Sequence, residues 1–178
     1  VGRSDGWRAT AETICGDLKA GTHDERDAAI TALIERLRPA GSEEEVARLF
    51  MDWEDARHLP TGIDVGSHTN RHAILARESP DDQLDDLVTS RERLGTELGR
   101  DIDLLAYPNG QPGDFDTTTT NAAAEAGYLG AVTTCEGVNG GSTDAYELRR
   151  FVLSPRWDPG MVRFMATIFL TAARGRTA

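Results

Sequence analysis

With 178 residues and 39% hydrophobic side chains, the chain has the length and apolar content of one domain with one buried core, and disorder is excluded on composition. Its 19 basic residues against 30 acidic ones give a net charge of -11, opposite in sign to the surface that phosphate backbones attract, so nucleic acid is excluded as a natural partner. No apolar run reaches the roughly 18 residues of a membrane span, and Arg163 interrupts the longest one.

All but one of the basic residues are arginine, a bias to which no function attaches. Cys15 and Cys135 lie far apart and form no Cys-x-x-Cys or Cys/His cluster, which leaves one disulfide or two free thiols. The first residues carry no signal-peptide pattern.

Residues 1–58 form a helical insertion region, helical throughout 8–58, followed by a strand and helix barrel portion over 59–178, within a single domain that is expected to be incomplete. Ala28, Ala29, Ile30, Leu33, Ile34 and Leu37 make an apolar stripe that stops at Pro39 and Gly41. A second helix is expected from Ser42, which forms a capping-box pattern with Glu45, through Trp53 and Ala56 to the Pro60–Gly62 stop. Ile63–Gly66 then alternates as a short strand. Ser79-Pro80-Asp81-Asp82 marks a helix start, Leu84, Leu87, Val88, Leu94 and Leu98 its buried face, and Gly99 its end. Further strands are expected at Leu104–Tyr107, Gly130–Thr134 and Arg150–Leu153, with helices from Asp116 to Ala126 and from about Pro159. Alternation of strands and helices predicts an α/β fold with parallel strands, whose sites gather at the carboxyl ends of the strands.

Two of the four histidines, His68 and His72, stand four residues apart directly after the first of these strands. Two imidazoles at that spacing suit one divalent metal ion, to which a catalytic site adds a third protein ligand and a water. A surface pair of histidines is the competing reading, and spacing alone does not separate the two. His23 and His58 fall on helices and read as solvated, and Asp81, Asp82, Asp85 and Asp86 read as the solvated first turns of a helix.

The order of motifs resembles the polysaccharide deacetylases of carbohydrate esterase family 4. Gly62-Ile63-Asp64-Val65-Gly66-Ser67-His68-Thr69-Asn70-Arg71-His72 is similar to that family's His-[Ser/Thr]-x-x-His motif and the strand before it. Leu105-Ala106-Tyr107-Pro108-Asn109-Gly110 resembles the Phe-Ala-Tyr-Pro-x-Gly motif of one branch, and Ala126-Gly127-Tyr128 and Leu148-Arg149-Arg150 resemble its later elements. The resemblance runs over about residues 46–170. It implies part of a deformed (β/α) barrel that removes acetyl groups from N- or O-acetylated polysaccharide or oligosaccharide. It also implies a divalent metal, zinc first with cobalt or nickel as alternatives, held by His68 and His72.

The same resemblance implies that the backbone amide of Asn109 faces the developing oxyanion, with Tyr107 and Pro108 on the substrate side. Ala106 replaces an arginine that orients the catalytic aspartate in many members. That function then comes from elsewhere or is dispensed with, and Arg150 is one candidate to hold a carboxylate or substrate group, against the alternative of a surface salt bridge. Tyr107 and Trp157 are candidates to stack on a sugar, against the alternative of packing. The family's Thr-Phe-Asp-Asp-Gly strand, source of the third ligand and the base, has no counterpart, since no Asp-Asp-Gly occurs and Ser4-Asp5-Gly6 lacks the preceding apolar strand. Nor does Phe151–Trp157 hold the family's Leu-x-His acid. The chain is therefore expected to be a C-terminal portion with little or no activity alone, prone to self-association through an open sheet edge. The other reading is a non-catalytic carbohydrate-binding or assembly domain derived from a deacetylase. Family members often work outside the cytoplasm, and nothing in these residues assigns a compartment.

Overall fold

Helix boundaries in this protein are set by side chains that satisfy the first backbone amides, a need every helix start shares. The structure, a computed structural model, describes residues 5–38, 50–152 and 158–174. Helix α1 spans Asp5–Ala20, and α2 follows over His23–Leu37. Thr22 caps α2, its hydroxyl accepting from Glu25 N while the Glu25 side chain accepts from Thr22 N. Ile30, Ile34 and Leu37 are exposed, and α2 buries no residue.

The expected helix from Ser42 falls largely on residues outside the described ones. Its described end differs from the expectation: Met51 is not helical, and Asp52 starts a new short helix, α3 (Trp53–Arg57), through a capping box with Asp55. Arg57 and Trp53 tie α3 to the next long helix, the first by an ion pair with Glu97 and the second beneath the guanidinium of Arg93. That helix, α4 (Pro80–Leu98), begins and ends where its sequence signals stand. Ser79 accepts from Asp82 N, Pro80 opens the first turn, and Gly99 closes it at φ +65°.

Strand β1 (Leu104–Ala106) pairs in parallel with β2 (Gly130–Val132), Leu105 opposite Ala131, and α5 (Thr117–Glu125) connects them. Single parallel bridges extend the sheet on both sides, Ser67 to Leu105 and Leu148 to Val132. The order across the sheet is thus Ser67, β1, β2, Leu148, with every pairing parallel. Two expected strands do not form, since Ile63–Gly66 runs unpaired up to Ser67 and Arg150–Val152 lies beyond the Leu148 bridge, and β1 and β2 stop one and two residues short of their patterns. Gly66 runs so close to β1 that a Cβ there would meet Leu104 O at 3.0 Å. Among the described residues the sheet is small and not closed, an open part of an α/β barrel-like arrangement.

The core lies where α4 and α5 pack on each other and against β1 and β2. Leu75, Leu87, Ile102, Leu105, Tyr128 and Ala131 are at most 1% exposed, and each large aliphatic side chain among them contributes about 1.5–3 kcal/mol by leaving water. Ala122, Ala123 and Ala126 let α5 approach closely, so the small-residue run in the sequence is a packing device. Helix α6 spans Pro159–Arg174. No helix among the described residues is long and apolar enough to cross a membrane. Both cysteines are free thiols.

Candidate metal and oxyanion site

Parallel pairing carries the ends of four extended segments to one edge of the sheet, and residues singled out by sequence follow three of them within two positions. His68 comes next after Ser67, Tyr107-Pro108-Asn109 after Ala106, and Arg150 two residues after Leu148. Ser67 is locked in place on both sides of its peptide, donating to Leu104 O at 2.8 Å and accepting from Ala106 N at 2.8 Å. Its hydroxyl meets that of Ser90 at 2.7 Å, which anchors the strand end to α4.

The rings of His68 and His72 lie edge to face at 84° with centroids 4.8 Å apart. Nδ1 of His68 is 2.6 Å from Ala106 O. A carbonyl oxygen only accepts, so Nδ1 carries the proton and Nε2 keeps a free lone pair, the tautomer a metal ligand needs. Burial, then the neighbouring His68, lowers the pKa of His72, which favours the uncharged ring that can bind a metal. Both rings thus fit as ligands. Among the described residues no group of three His, Cys, Asp or Glu side chains is placed to hold a metal ion, so the pair fits two corners of a tetrahedral site and no third.

The loop that carries the pair is held by a residue the sequence analysis passes over. Asp86, read above as solvated, is 1% exposed. Its Oδ1 accepts from Asn70 N at 2.7 Å, and its Oδ2 accepts from Arg71 N at 3.1 Å and Arg71 Nε at 3.0 Å. Its trace in the sequence is helical spacing, three residues after Gln83 and four before Ser90 on the buried face of α4, but an Asp in an acidic first stretch reads as surface unless the loop it serves is known. His23 also departs from its expected solvation, with a side chain only 14% exposed. Its Nδ1 accepts from Arg26 at 2.6 Å, and the same guanidinium donates to the carbonyls of Arg71 at 3.1 Å and His72 at 3.0 Å. Helix α2 thereby grips the histidine loop. His58 is exposed, as expected.

Thr69, His72 and Asn109 all have φ between +52° and +68°, a region that costs a non-glycine residue about 1 kcal/mol or more. Three of the four such residues among the described ones thus sit in the two loops after Ser67 and Ala106. The Asn109 amide donates to no acceptor among the described residues, while its carbonyl accepts from the Thr134 hydroxyl at 2.6 Å. Gly110 follows at φ +71°, where a Cβ would stand 3.0 Å from Thr134 N.

Tyr107 and Pro108 require correction as sugar-contacting residues. Tyr107 is 1% exposed, stacks on Phe115 at 4.8 Å and donates to Tyr146 O at 3.0 Å, and Pro108 is buried beside it. A ring already covered on its faces has no surface for a sugar, so both serve as the floor of the loop. Arg150 is half-buried; its amide donates to Cys135 O, and its Nε is enclosed with no hydrogen-bond partner. Trp157 lies outside the described residues.

Beside Asn109 a cleft of about 460 Å³ opens between α1 and the loops after His72 and Tyr107. A larger depression, about 600 Å³, lies near Arg91, Gly95 and Arg100 at the amino end of β1, away from both histidines. The smaller cleft is the one adjoining the site.

Residues 26–131 match the family model described as polysaccharide deacetylase. Among solved structures, the chain is similar to the Streptococcus pyogenes deacetylase PplD in complex with acetate, at 26% identity and a TM-score of 0.60 over 64% of this chain and 50% of that one. It is similar in fold to a de-N-acetylase from Aggregatibacter actinomycetemcomitans, at 17% identity and a TM-score of 0.53 over 65% and 53% of the two chains. The BpsB deacetylase domain from Bordetella bronchiseptica matches at 20% identity and a TM-score of 0.53 over 58% and 49%. This chain therefore spans about half the length of the solved structures it matches. No curated protein matches it.

Proposed function

From the premise that this chain belongs to the polysaccharide deacetylase family, we propose that it carries the two-histidine half of a metal-dependent site that hydrolyses the acetyl amide or ester of an acetylated polysaccharide or oligosaccharide. The observation that carries this reading is the His68 tautomer. Hydrogen bonding to Ala106 O leaves Nε2 open beside a neutral His72, at the carboxyl edge of the parallel strands.

Zinc, or cobalt or nickel, held by His68 and His72 would supply Lewis acidity toward the acetyl carbonyl and a bound water of lowered pKa. This chain's own residues have separate tasks. The free amide of Asn109 points its proton toward the acetyl oxygen as negative charge develops there, a role best filled by a rigid donor; its left-handed backbone and the Thr134 contact supply that rigidity. Asp86 and Arg26 hold the histidine loop from two sides. Arg150, with one nitrogen unpartnered, is the side chain suited to hold a carboxylate that acts as base. On this reading the chain is of the Phe-Ala-Tyr-Pro-x-Gly branch, which the run Leu105–Gly110 supports, with Tyr107 and Pro108 shaping the loop.

A second reading, a carbohydrate-binding or assembly domain without catalysis, rests on one observation: no third ligand stands with the histidines among the described residues. On either reading the 178-residue chain alone has little or no activity, because a missing general base removes about 10²–10⁴-fold in rate.

Zinc titration and elemental analysis of the purified chain beside a His68→Ala/His72→Ala variant test the metal half of the proposal. Stoichiometric metal that the variant loses supports it, and negligible binding in both removes it. Acetate release from an N-acetylglucosamine oligomer by the purified chain would refute the expected inactivity and exclude the non-catalytic reading.

A further inference from the structure

The cleft beside Asn109 combines two unpaired cations in a protein of net charge -11. Lys19, the single lysine, enters it from α1, and Arg77 enters from the short 3-10 turn Leu75–Arg77 that follows the histidine loop. Both are exposed, and neither side chain has a hydrogen-bond or ion-pair partner among the described residues. Other cations in the neighbourhood are engaged: Arg71 on Asp86, and Arg26 on His23 and two carbonyls. Asp114 lines the same cleft, but its carboxylate accepts from Gln111 N at 2.9 Å and stiffens the loop, and it makes no ion pair with either cation. Lys19 at the last turn of α1 suits the negative end of that helix. That preference does not account for Arg77, which reaches the same space from a different element.

We propose that the cleft of Lys19 and Arg77 is a subsite for an anionic group, a carboxylate or phosphate, borne by the acetylated carbohydrate next to the sugar that presents its acetyl group to Asn109. The inference rests on the deacetylase reading for its substrate class and narrows that class to acidic polymers. On a chain that repels anions overall, two cations against the single carboxylate of Asp114 leave this cleft with an excess of positive charge, and a substrate group of opposite charge gains there what it loses elsewhere. The same pair disfavours a neighbouring sugar that has already lost its acetyl group, because the freed amine becomes a cation at neutral pH.

Binding to the metal-free full chain separates this inference from the metal site. The probes are a tetrasaccharide alternating N-acetylglucosamine with glucuronate, the neutral N-acetylglucosamine tetrasaccharide, and N-acetylglucosamine 6-phosphate, followed by NMR titration at low and at physiological ionic strength. The acidic probes are expected to bind more tightly than the neutral one and to weaken with salt. Lys19→Gln/Arg77→Gln is expected to weaken them by about tenfold, the equivalent of ~1.4 kcal/mol over two surface ion contacts, while the neutral probe is unchanged. Preference for glucuronate over the phosphate, or the reverse, identifies the source of the anion. Equal binding of acidic and neutral probes, no binding of any, or acidic binding untouched by the double substitution overturns the subsite. His68→Ala/His72→Ala is expected to keep the anion preference, so a wild-type chain that binds no zinc removes the metal half of the deacetylase reading without touching this result.

Discussion

Nδ1 of His68 and the carbonyl oxygen of Ala106 are 2.6 Å apart, so the first imidazole of the site is oriented by the backbone of the adjacent strand. A backbone acceptor cannot be removed by a side-chain change, and it fixes the tautomer whatever happens to neighbouring side chains. His72 is oriented from within its own loop, its ring lying against its own backbone rather than against an adjacent strand. Cobalt titration followed by visible absorption should therefore rank the single variants: His68→Ala and His72→Ala each abolish the signal, whereas substitutions in the supporting loop only weaken it.

Asp86 is the supporting residue expected to matter most. Its carboxylate is fully enclosed and takes three charge-assisted or amide hydrogen bonds from Asn70 and Arg71. Asp86→Ala leaves two amides and a guanidinium without their acceptor, a change expected to destabilise the fold by about 3–5 kcal/mol in urea unfolding. Asp86→Asn keeps the shape and loses the charge, so it should unfold at intermediate urea concentration. Its metal affinity is expected to fall by about tenfold, as outer supports of metal ligands typically do. An Asp86→Asn protein with unchanged stability and unchanged cobalt affinity would show that the loop holds itself.

Much of this arrangement is legible in the sequence, and the reasons differ by element. Helix α4 was readable at both ends because Ser79, Pro80 and Gly99 act through local backbone geometry that sequence encodes directly. The strands were readable in position but not in length: Ile63–Gly66 alternates correctly, yet pairing needs a neighbour, and only Ser67 reaches one. Asp52 was missed as a helix start because the run from Val46 to Ala56 keeps a helical period across it. The histidine pair was visible from spacing, but its tautomer was not, since it depends on a carbonyl 38 residues away. Tyr107 was ambiguous by chemistry, a residue equally suited to a sugar and to a core, and its stack on Phe115 settles its place. Asp86 was invisible because burial of a carboxylate is a tertiary event, decided by the amides it meets.

Gly110 should tolerate no side chain. Its φ of +71° lies in the region that L-residues enter at a cost of about 1 kcal/mol, and an added Cβ meets Thr134 N at 3.0 Å, a backbone atom that cannot step aside. Gly110→Ala is expected to lower stability by about 2 kcal/mol and to displace the Asn109 amide. Comparing the amide resonances of Asn109 and Thr134 in the two proteins checks the displacement, and a variant with wild-type stability and shifts would contradict the close approach.

Two buried phenols set the alkaline limit of the fold. Burial is the first cause that raises both Tyr107 and Tyr128 above the usual tyrosine value, with the carboxylates of Glu147 and Asp144 adding to it at Tyr107. In the unfolded chain each phenol loses its proton near pH 10, while in the folded chain it keeps it to higher pH. Above that pH the unfolded state binds fewer protons than the folded state, so stability falls as pH rises; below it the two states match and these groups add no slope. Unfolding free energy should thus be flat on their account through neutral pH and decline from about pH 10 upward. Tyr107→Phe gives up the bond to Tyr146 O and Tyr128→Phe the bond to Leu87 O, each at about 0.5–1.5 kcal/mol at neutral pH, and each flattens the alkaline decline. Urea midpoints at neutral pH and above pH 10 for the wild type and both variants decide the matter, and a variant that declines as steeply as the wild type removes its tyrosine from the account.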